Sequence, residues 1–168
     1  PHCTSVAFQF MKILVLGIGN TLLSDEGVGV HVIQALGRSS LADRDDVELL
    51  DGGTLSFTLA GPIQDADALI VVDAAQLKSS PGTLRVFEGE DMDRFLTSNR
   101  KSSVHEVGLT DLRAIAMLAG HWPERRAMVA IQPEKVDWGE FPTEPVAAAI
   151  PHACGRIESL IGAWRDGH

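Results

Sequence analysis

The chain has few cysteines, a deficit of positive charge and no long apolar run. Cys3 and Cys154 form no CxxC pair and cannot build a metal cluster between them. Fourteen basic side chains against 23 acidic ones give a net charge of −9, which disfavours binding to nucleic acid or anionic membranes. No apolar run approaches the ~18 residues that span a bilayer. The motifs GxSxG and HExxH are also missing, which excludes the common serine-hydrolase and zinc-protease templates.

The first ten residues, PHCTSVAFQF, form a poor secretory signal because they lack a basic start and a proper apolar centre. A strand pattern begins directly after Met11. We therefore expect residues 1–10 to be a leader or an expression remnant outside the fold, and residues 11–168 to form a single domain. The length fits one domain with a sizeable core. We expect the cytoplasm as its compartment and a monomer as its state.

Five apolar segments rich in β-branched residues predict strands. They are residues 12–17, 46–51, 68–73, 83–88 and 127–132. The first, third and fifth are apolar almost throughout, which is typical of interior strands covered on both faces. Helical periodicity follows Asp25 as far as Gly37 and recurs over residues 109–118. It returns over residues 143–164, where Pro151 should kink or break the helix.

The alternation of strands and helices predicts a parallel sheet with helices on both faces. One connection is too short for that scheme. Only residues 74–82 join the third strand to the fourth, whereas a parallel crossover needs a dozen or more residues. The sequence thus predicts a three-layer α/β/α domain with a five-stranded, mostly parallel, twisted sheet and one antiparallel edge strand.

The stretch ILVLGIGNTLLSDEGVG, residues 13–29, suggests a phosphate-binding turn but departs from it in three ways. Leu22 stands where the third glycine of GxGxxG belongs. The acid that ends the second strand is Asp51, 34 positions after Gly17, whereas a ribose-binding acid follows by about 20. Two carboxylates also lie at the helix start, where a pyrophosphate requires positive potential. The pattern therefore argues against a nucleotide.

Those two carboxylates, Asp25 and Glu26, are explained in the simplest case by the helix dipole, since acids in a first turn stabilise a helix by about 0.3–1 kcal/mol each. Asp73 adds a second possibility, because it ends the third strand. Ligands of open α/β sheets bind beyond the carboxyl ends of neighbouring strands. Glu26 and Asp73 should then overhang one crevice, with Asp51 able to approach it. Close carboxylates require a cation or a shared proton.

A histidine would complete a mixed oxygen and nitrogen ligand set. His105 lies in the polar turn SSVHEVGL directly before a predicted helix, although a loop histidine is more often simply solvated. Two oxygens and one nitrogen with open positions suit a borderline divalent ion such as nickel, zinc or manganese. The spacing of these residues does not choose among those ions.

Separated segments of the chain, in order, resemble the nickel–iron hydrogenase maturation endopeptidases over residues 11–160. They are GIGNTLLSDEGVG (17–29), LLDGGT (49–54), VVDAAQ (71–76), SVHEVGL (103–109) and IQPEKVDWG (131–139). The resemblance implies a peptidase that removes a C-terminal extension from the nickel-loaded precursor of the hydrogenase large subunit. The segment FPTEPV (141–146), with its two prolines, departs from the family pattern.

By motif position, the resemblance assigns Glu26, Asp73 and His105 as nickel ligands. It also implies that nickel arrives with the substrate, so that the isolated enzyme can be metal-free. The general base stays open between water activated by the metal and Asp51 or Asp73 acting through water. A non-cleaving nickel chaperone or assembly checkpoint would use the same three ligands, and a hydrolase of this fold with another substrate is a third reading.

Overall fold

The computed structural model of the chain describes residues 11–54, 57–98 and 109–167. The proposed leader, residues 1–10, lies outside the described residues. These described ranges contain five strands: β1 Ile13–Ile18, β2 Val47–Gly53, β3 Ala68–Ala74, β4 Leu84–Glu88 and β5 Arg125–Ile131. The same part of the chain forms five α-helices: α1 Val28–Leu36, α2 Ala60–Asp65, α3 Glu90–Ser98, α4 Leu109–Leu118 and α5 Glu144–Arg165. Short 3₁₀ turns cover Ser24–Gly27, Ser40–Asp43 and Phe57–Leu59.

The strands form one sheet in the order β2-β1-β3-β5-β4. The first four of these run parallel, and β4 pairs with β5 in the antiparallel direction at the edge. The antiparallel edge predicted from the short connection is confirmed. The expected neighbours β1 and β3 are also adjacent, with Ile13 opposite Ala68 and Gly17 opposite Val72.

Helices cover both faces of the sheet, as the apolar strands require. One core cluster joins α1 and α5 to the face that carries Val15 and Ile70. The second joins α2, α3 and α4 to the face that carries Leu16 and Leu69. Every residue of β1 and β3 is buried, whereas β4 is only partly covered. The α/β/α architecture predicted from the sequence is confirmed.

Of the kink or break expected at Pro151, the break is wrong, because α5 continues from Glu144 to Arg165 with the proline inside it. A proline there removes one backbone hydrogen bond. The helix has several apolar side chains buried in the core, including Ile157 and Trp164, and this burial holds it together. Among the described residues, no helix combines the length and apolar character needed to cross a bilayer.

Helix α3 is fixed to the sheet by a carboxylate that receives several donors. Asp93 accepts hydrogen bonds from Arg126 Nε at 3.0 Å, from Arg126 Nη2 at 2.6 Å and from Trp122 Nε1 at 3.2 Å. Burial opposes ionisation of Asp93, but these hydrogen bonds and the charges of Arg126 and Arg113 outweigh it and hold its pKa below the ordinary value of 3.8. The ionised carboxylate therefore contributes to stability.

Replacing Asp93 by asparagine should lower the free energy of unfolding by about 2 kcal/mol near neutral pH, since it removes a charge-assisted pair. The contribution is fully present above the ordinary pKa and is lost as pH falls through the lowered one. The difference between wild type and variant should thus shrink below pH 3.8. Urea unfolding of both proteins near neutral pH and below pH 3.8 measures this difference.

The matched control is Asp91→Asn on the same helix, where the exposed carboxylate pairs with Arg94 at 2.7 Å. An exposed pair contributes little, so this variant should lose less than about 0.5 kcal/mol. Equal losses for the two variants at neutral pH would contradict the role given to Asp93.

Candidate functional site

The sheet has one point where the chain reverses its direction of winding, between β1 and β3. The connection after β1 leads to β2 on one side, and the chain then returns to β3 on the other. In open α/β sheets the crevice beyond the carboxyl ends of such strands is the usual place for a ligand. The candidate residues lie around this crevice.

Glycines allow the segment after β1 to pack directly on the strand ends. A Cβ added to Gly29 would lie 2.2 Å from the carbonyl oxygen of Val72, and one added to Gly17 would lie 2.4 Å from that of Gly29. Gly19 has φ +142°, and a Cβ there would lie 1.9 Å from the carbonyl oxygen of Glu26. Side chains at these three positions would meet backbone atoms, so the close packing of the 24–27 turn and α1 on the strands requires glycine.

Glu26 and Asp73 belong to the two segments that meet at the crevice. Glu26 is half-buried in the 3₁₀ turn Ser24–Gly27, and this turn contacts β3. Asp73 is 3 % exposed near the end of β3, where strand alternation places it on the same face as Leu69 and Val71. The structure thus brings together the elements that carry two of the three proposed ligands.

Asp51 lies at the carboxyl end of β2, exposed, on the opposite face of the sheet from Asp73, because alternation places it with Val47 and Leu49. Its Oδ1 accepts a hydrogen bond from the backbone N–H of Gly53 at 2.8 Å. The carbonyl of Gly53 in turn accepts one from Gly19 N at 2.8 Å. Asp51 therefore shapes the turn that supports the β1 end.

The third proposed ligand, His105, lies outside the described residues. Within residues 11–54, 57–98 and 109–167 no group of three His, Cys, Asp or Glu side chains is arranged to hold a metal ion. Glu26 and Asp73 are the two proposed ligands that lie within these ranges. Carboxylate oxygens suit a divalent cation, and an imidazole would move the preference toward nickel or zinc.

Asp25 has a role that the sequence did not reveal. It is fully buried and accepts four hydrogen bonds from the loop between β5 and α5, residues 132–143, named the β5–α5 loop below. The donors and distances are Glu134 N at 2.9 Å, Lys135 N at 2.9 Å, Thr143 N at 2.6 Å and Thr143 Oγ1 at 2.8 Å. The expected role of Asp25 as a simple helix-dipole acid is therefore incomplete, because its oxygens bind a distant loop.

These donors keep Asp25 ionised. Burial opposes the charged form, but the backbone N–H groups of Lys135, Thr143 and Glu134 and the Thr143 hydroxyl outweigh it and lower the pKa of Asp25 below 3.8. Ser24, directly before it, has a positive φ of 50° and donates its hydroxyl to the carbonyl of Asp137 at 2.8 Å. The 24–27 turn and the β5–α5 loop are therefore one hydrogen-bonded unit.

Gln132 holds a connecting segment by buried hydrogen bonds, as Asp25 does, and that segment follows the strand that carries Asp73. It is buried at the end of β5, and its Oε1 accepts the backbone N–H of Leu77 at 2.6 Å. Its Nε2 donates to Gln76 Oε1 at 3.0 Å and to the carbonyl of Pro133. Gln132 thereby fixes the connection that leaves β3 just after Asp73. The only signal in the sequence was its place at the end of an apolar strand.

Comparison with known protein families and curated sequences shows what the chain is similar to. A family model described as hydrogenase maturation protease matches residues 30–160. The hydrogenase expression/formation protein HupD of Rhizobium leguminosarum bv. viciae is 38 % identical over 154 residues, which cover 91 % of this chain and 75 % of that protein. The hydrogenase 2 maturation protease of Escherichia coli K12 is 36 % identical over 157 residues, 93 % of this chain and 92 % of its own length.

Solved structures that resemble this chain also include hydrogenase maturation proteases. The hydrogenase maturating endopeptidase HybD from E. coli superposes with a TM-score of 0.78 at 34 % identity, covering 94 % of both chains. The [NiFe] hydrogenase maturation protease HybD from Thermococcus kodakarensis superposes with a TM-score of 0.74 at 25 % identity, covering 89 % of this chain and 99 % of that one. The similarity extends over nearly the whole domain.

Replacing Asp25 by asparagine should lower the free energy of unfolding by about 3 kcal/mol, because an amide group cannot accept all four bonds and leaves buried donors unpaired. Amide hydrogen exchange should accelerate at Glu134, Lys135 and Thr143 before it does so in the sheet. Urea unfolding and exchange measured by NMR or mass spectrometry test both effects.

Asp137→Asn is the matched control, since this exposed carboxylate on the same loop accepts only the neighbouring Trp138 N–H, at 2.8 Å, among the hydrogen bonds described. It should cost less than about 0.5 kcal/mol. If Asp25→Asn were as stable as this control, the loop would not depend on the buried carboxylate.

Proposed function

We propose a specific reaction for this chain, which belongs to the hydrogenase maturation protease family and is an endopeptidase. It cleaves the precursor of a nickel–iron hydrogenase large subunit and releases the C-terminal extension after nickel has been inserted. The family membership supports this reaction, as does the similarity to the Thermococcus protein, which is a protease of [NiFe] hydrogenase maturation. The precursor is thus the partner, and the cytoplasm is the compartment proposed.

The observation that carries the proposal is the meeting of two acid-bearing segments at the crevice between β1 and β3. Glu26 is half-buried in a turn that contacts β3, and Asp73 is almost completely buried near the end of β3. Carboxylates gathered at such a place favour a cation. We assign Glu26, Asp73 and His105 as the side chains that contact nickel carried by the precursor.

Nickel is cargo of the substrate in this proposal. A site with three protein donors and open coordination positions can share an ion that the precursor already holds, while it binds a free ion weakly. Cleavage then depends on correct loading, because the precursor reaches the site in its productive position only when the ion links the two proteins. The isolated enzyme would be metal-free and monomeric.

Peptide hydrolysis requires an activated water and stabilisation of the oxyanion. We propose Asp73, which is buried near the end of β3, as the carboxylate that accepts a proton from water, with water activated by the ion as the alternative base. Asp51 is exposed on the other face and is hydrogen-bonded to Gly53, so its proposed role is to position the turn through Gly53 and Gly19. The ion would polarise the scissile carbonyl when the loaded precursor is bound.

A non-cleaving nickel chaperone is the alternative that the same ligands allow. It is disfavoured, because the family description and the names of the E. coli and Thermococcus relatives are those of proteases or endopeptidases. No observation favours the third reading, a hydrolase of this fold with another substrate. Product analysis distinguishes all three.

Incubation with nickel-loaded precursor should release a C-terminal peptide, whereas the nickel-free precursor should stay intact. Intact mass spectrometry measures the loss directly, and the cofactor state of each precursor is checked by metal analysis. A loaded precursor that keeps its full mass would contradict the proposed reaction. Equal cleavage of both precursors would contradict only the dependence on nickel.

The variants Glu26→Ala, Asp73→Ala and His105→Ala should stay folded and lose cleavage by at least about 100-fold, which is typical when a group acting in the transition state is removed. Circular dichroism and thermal unfolding check the fold. Glu158→Gln and His152→Ala remove exposed side chains of α5 and serve as matched controls with wild-type rates. Full activity in all three site variants would overturn the assignment.

Asp51 is tested by comparing two substitutions. An asparagine at this position still accepts the Gly53 N–H through its side-chain oxygen, whereas an alanine does not. A positioning role predicts that Asp51→Asn keeps most of kcat and that Asp51→Ala loses about 10-fold. Loss of cleavage in Asp51→Asn equal to that in Asp51→Ala would instead identify the charge as the essential property.

A further inference from the structure

Large apolar side chains stand exposed on the β5–α5 loop and on the turn hydrogen-bonded to it. Val136 is 55 % exposed, Trp138 73 % and Phe141 78 %, and Leu22 on the 20–23 segment is 52 % exposed. Single exposed apolar residues are common, but several on one short unit mark an interaction surface. Trp is also a residue type enriched among side chains that dominate binding. We refer to Leu22, Val136, Trp138 and Phe141 as the apolar loop patch.

The backbone that carries this patch is fixed by buried polar contacts. Asp25 holds the loop at both ends through Lys135 and Thr143, and Ser24 N donates to the carbonyl of Gly139 at 2.8 Å. Gly139 N donates to the carbonyl of Leu22 at 2.9 Å, so the turn and the loop are joined directly. Because the backbone of the loop is already fixed, binding of a partner has to order only the side chains of the patch.

The anchors of the patch also define its position relative to the proposed cleavage site. Ser24 and Asp25, which hold the loop, directly precede Glu26 in the same 3₁₀ turn. A partner that contacts the patch is therefore brought next to the carboxylate that we assign to the nickel. This continuity connects the patch with substrate binding.

The charges around the patch indicate what a partner should present. The loop has three exposed carboxylates, those of Glu134, Asp137 and Glu140, and one exposed ammonium, that of Lys135. A complementary surface would be apolar at its centre and basic at its border.

We propose that the apolar loop patch is a docking surface for the folded body of the precursor, separate from the residues that contact nickel. This inference rests on the proposed function. The occupant is a surface of the precursor with an apolar centre and flanking Lys or Arg side chains. Docking there would hold the body of the precursor while its C-terminal segment enters the crevice.

The test is steady-state cleavage of loaded precursor by Trp138→Ala, Phe141→Ala and the double variant. We expect KM to rise by about 30-fold in the double variant, the effect typical of removing binding hot spots, with kcat at saturation unchanged. Trp138→Phe should recover most of the loss. Glu140→Lys should raise KM more at low salt than at high salt, since exposed charges are screened.

Leu118→Ala is the matched control, because Leu118 is 89 % exposed at the end of α4, outside the patch. Its KM should equal that of wild type. Wild-type KM in the double variant, with normal cleavage by the wild-type enzyme, would overturn the docking surface and leave the proposed function standing. Failure of wild type to cleave the loaded precursor would overturn both.

Light scattering on wild type and double variant distinguishes a partner protein from a second copy of this chain. A wild-type dimer that the double variant converts to a monomer, with KM unchanged, would identify the patch as a self-association surface and overturn the proposal. A wild-type monomer combined with the raised KM supports it.

Discussion

The buried carboxylate of Asp25 is the interaction on which the geometry of the carboxyl edge depends. Removing an ion from water is costly, and the cost is offset only when the lone pairs of the ion are satisfied. Here four donors from one loop point at two oxygens, and Asp25 N returns a bond to the carbonyl of Lys135 at 3.0 Å. Displacement of the loop would leave these buried groups unpaired, so the contacts of Asp25 favour one arrangement of the 24–27 turn and the β5–α5 loop.

The glycines of the first strand and helix make a second constraint that acts on the same turn. Gly17 and Gly29 let α1 approach the strands so closely that a methyl group would meet backbone atoms. Helix α1 therefore packs closely on β1 and β3, and the 24–27 turn before it contacts β3. The same packing brings the turn that carries Glu26 into contact with β3, the strand that carries the buried Asp73.

Much of this fold follows from local patterns in the sequence. The strands are predicted by runs of apolar and β-branched residues, and the antiparallel edge by a connection too short for a crossover. Helices α2 and α3 were not predicted. The sequence of α2, AGPIQD, contains a glycine and a proline, and that of α3, EDMDRFLTS, is largely polar. The sequence also suggested the crevice, since Asp73 ends β3 and the acid Glu26 lies in the turn that follows β1.

The roles of Asp25 and Gln132 could not be predicted, because each depends on a partner far away in the chain. Asp25 binds Glu134, which is 109 positions later in the chain, and Thr143, which is 118 positions later. Gln132 binds Leu77, which is 55 positions earlier. Neither carries a local signal: an acid before a helix is ordinarily explained by the helix dipole. A buried hydrogen-bond acceptor is recognised only once the fold has brought its donors together.

The neighbouring acids Asp25 and Glu26 then separate into two roles. Successive residues of a 3₁₀ turn point about 120° apart, so one side chain can face the interior while the next remains half-exposed. Asp25 keeps its negative charge, because its donors stabilise the ionised form. That fixed charge adds to the negative potential around Glu26 and disfavours an anion there. The carboxylate that holds the loop therefore also contributes to the preference of the crevice for a cation.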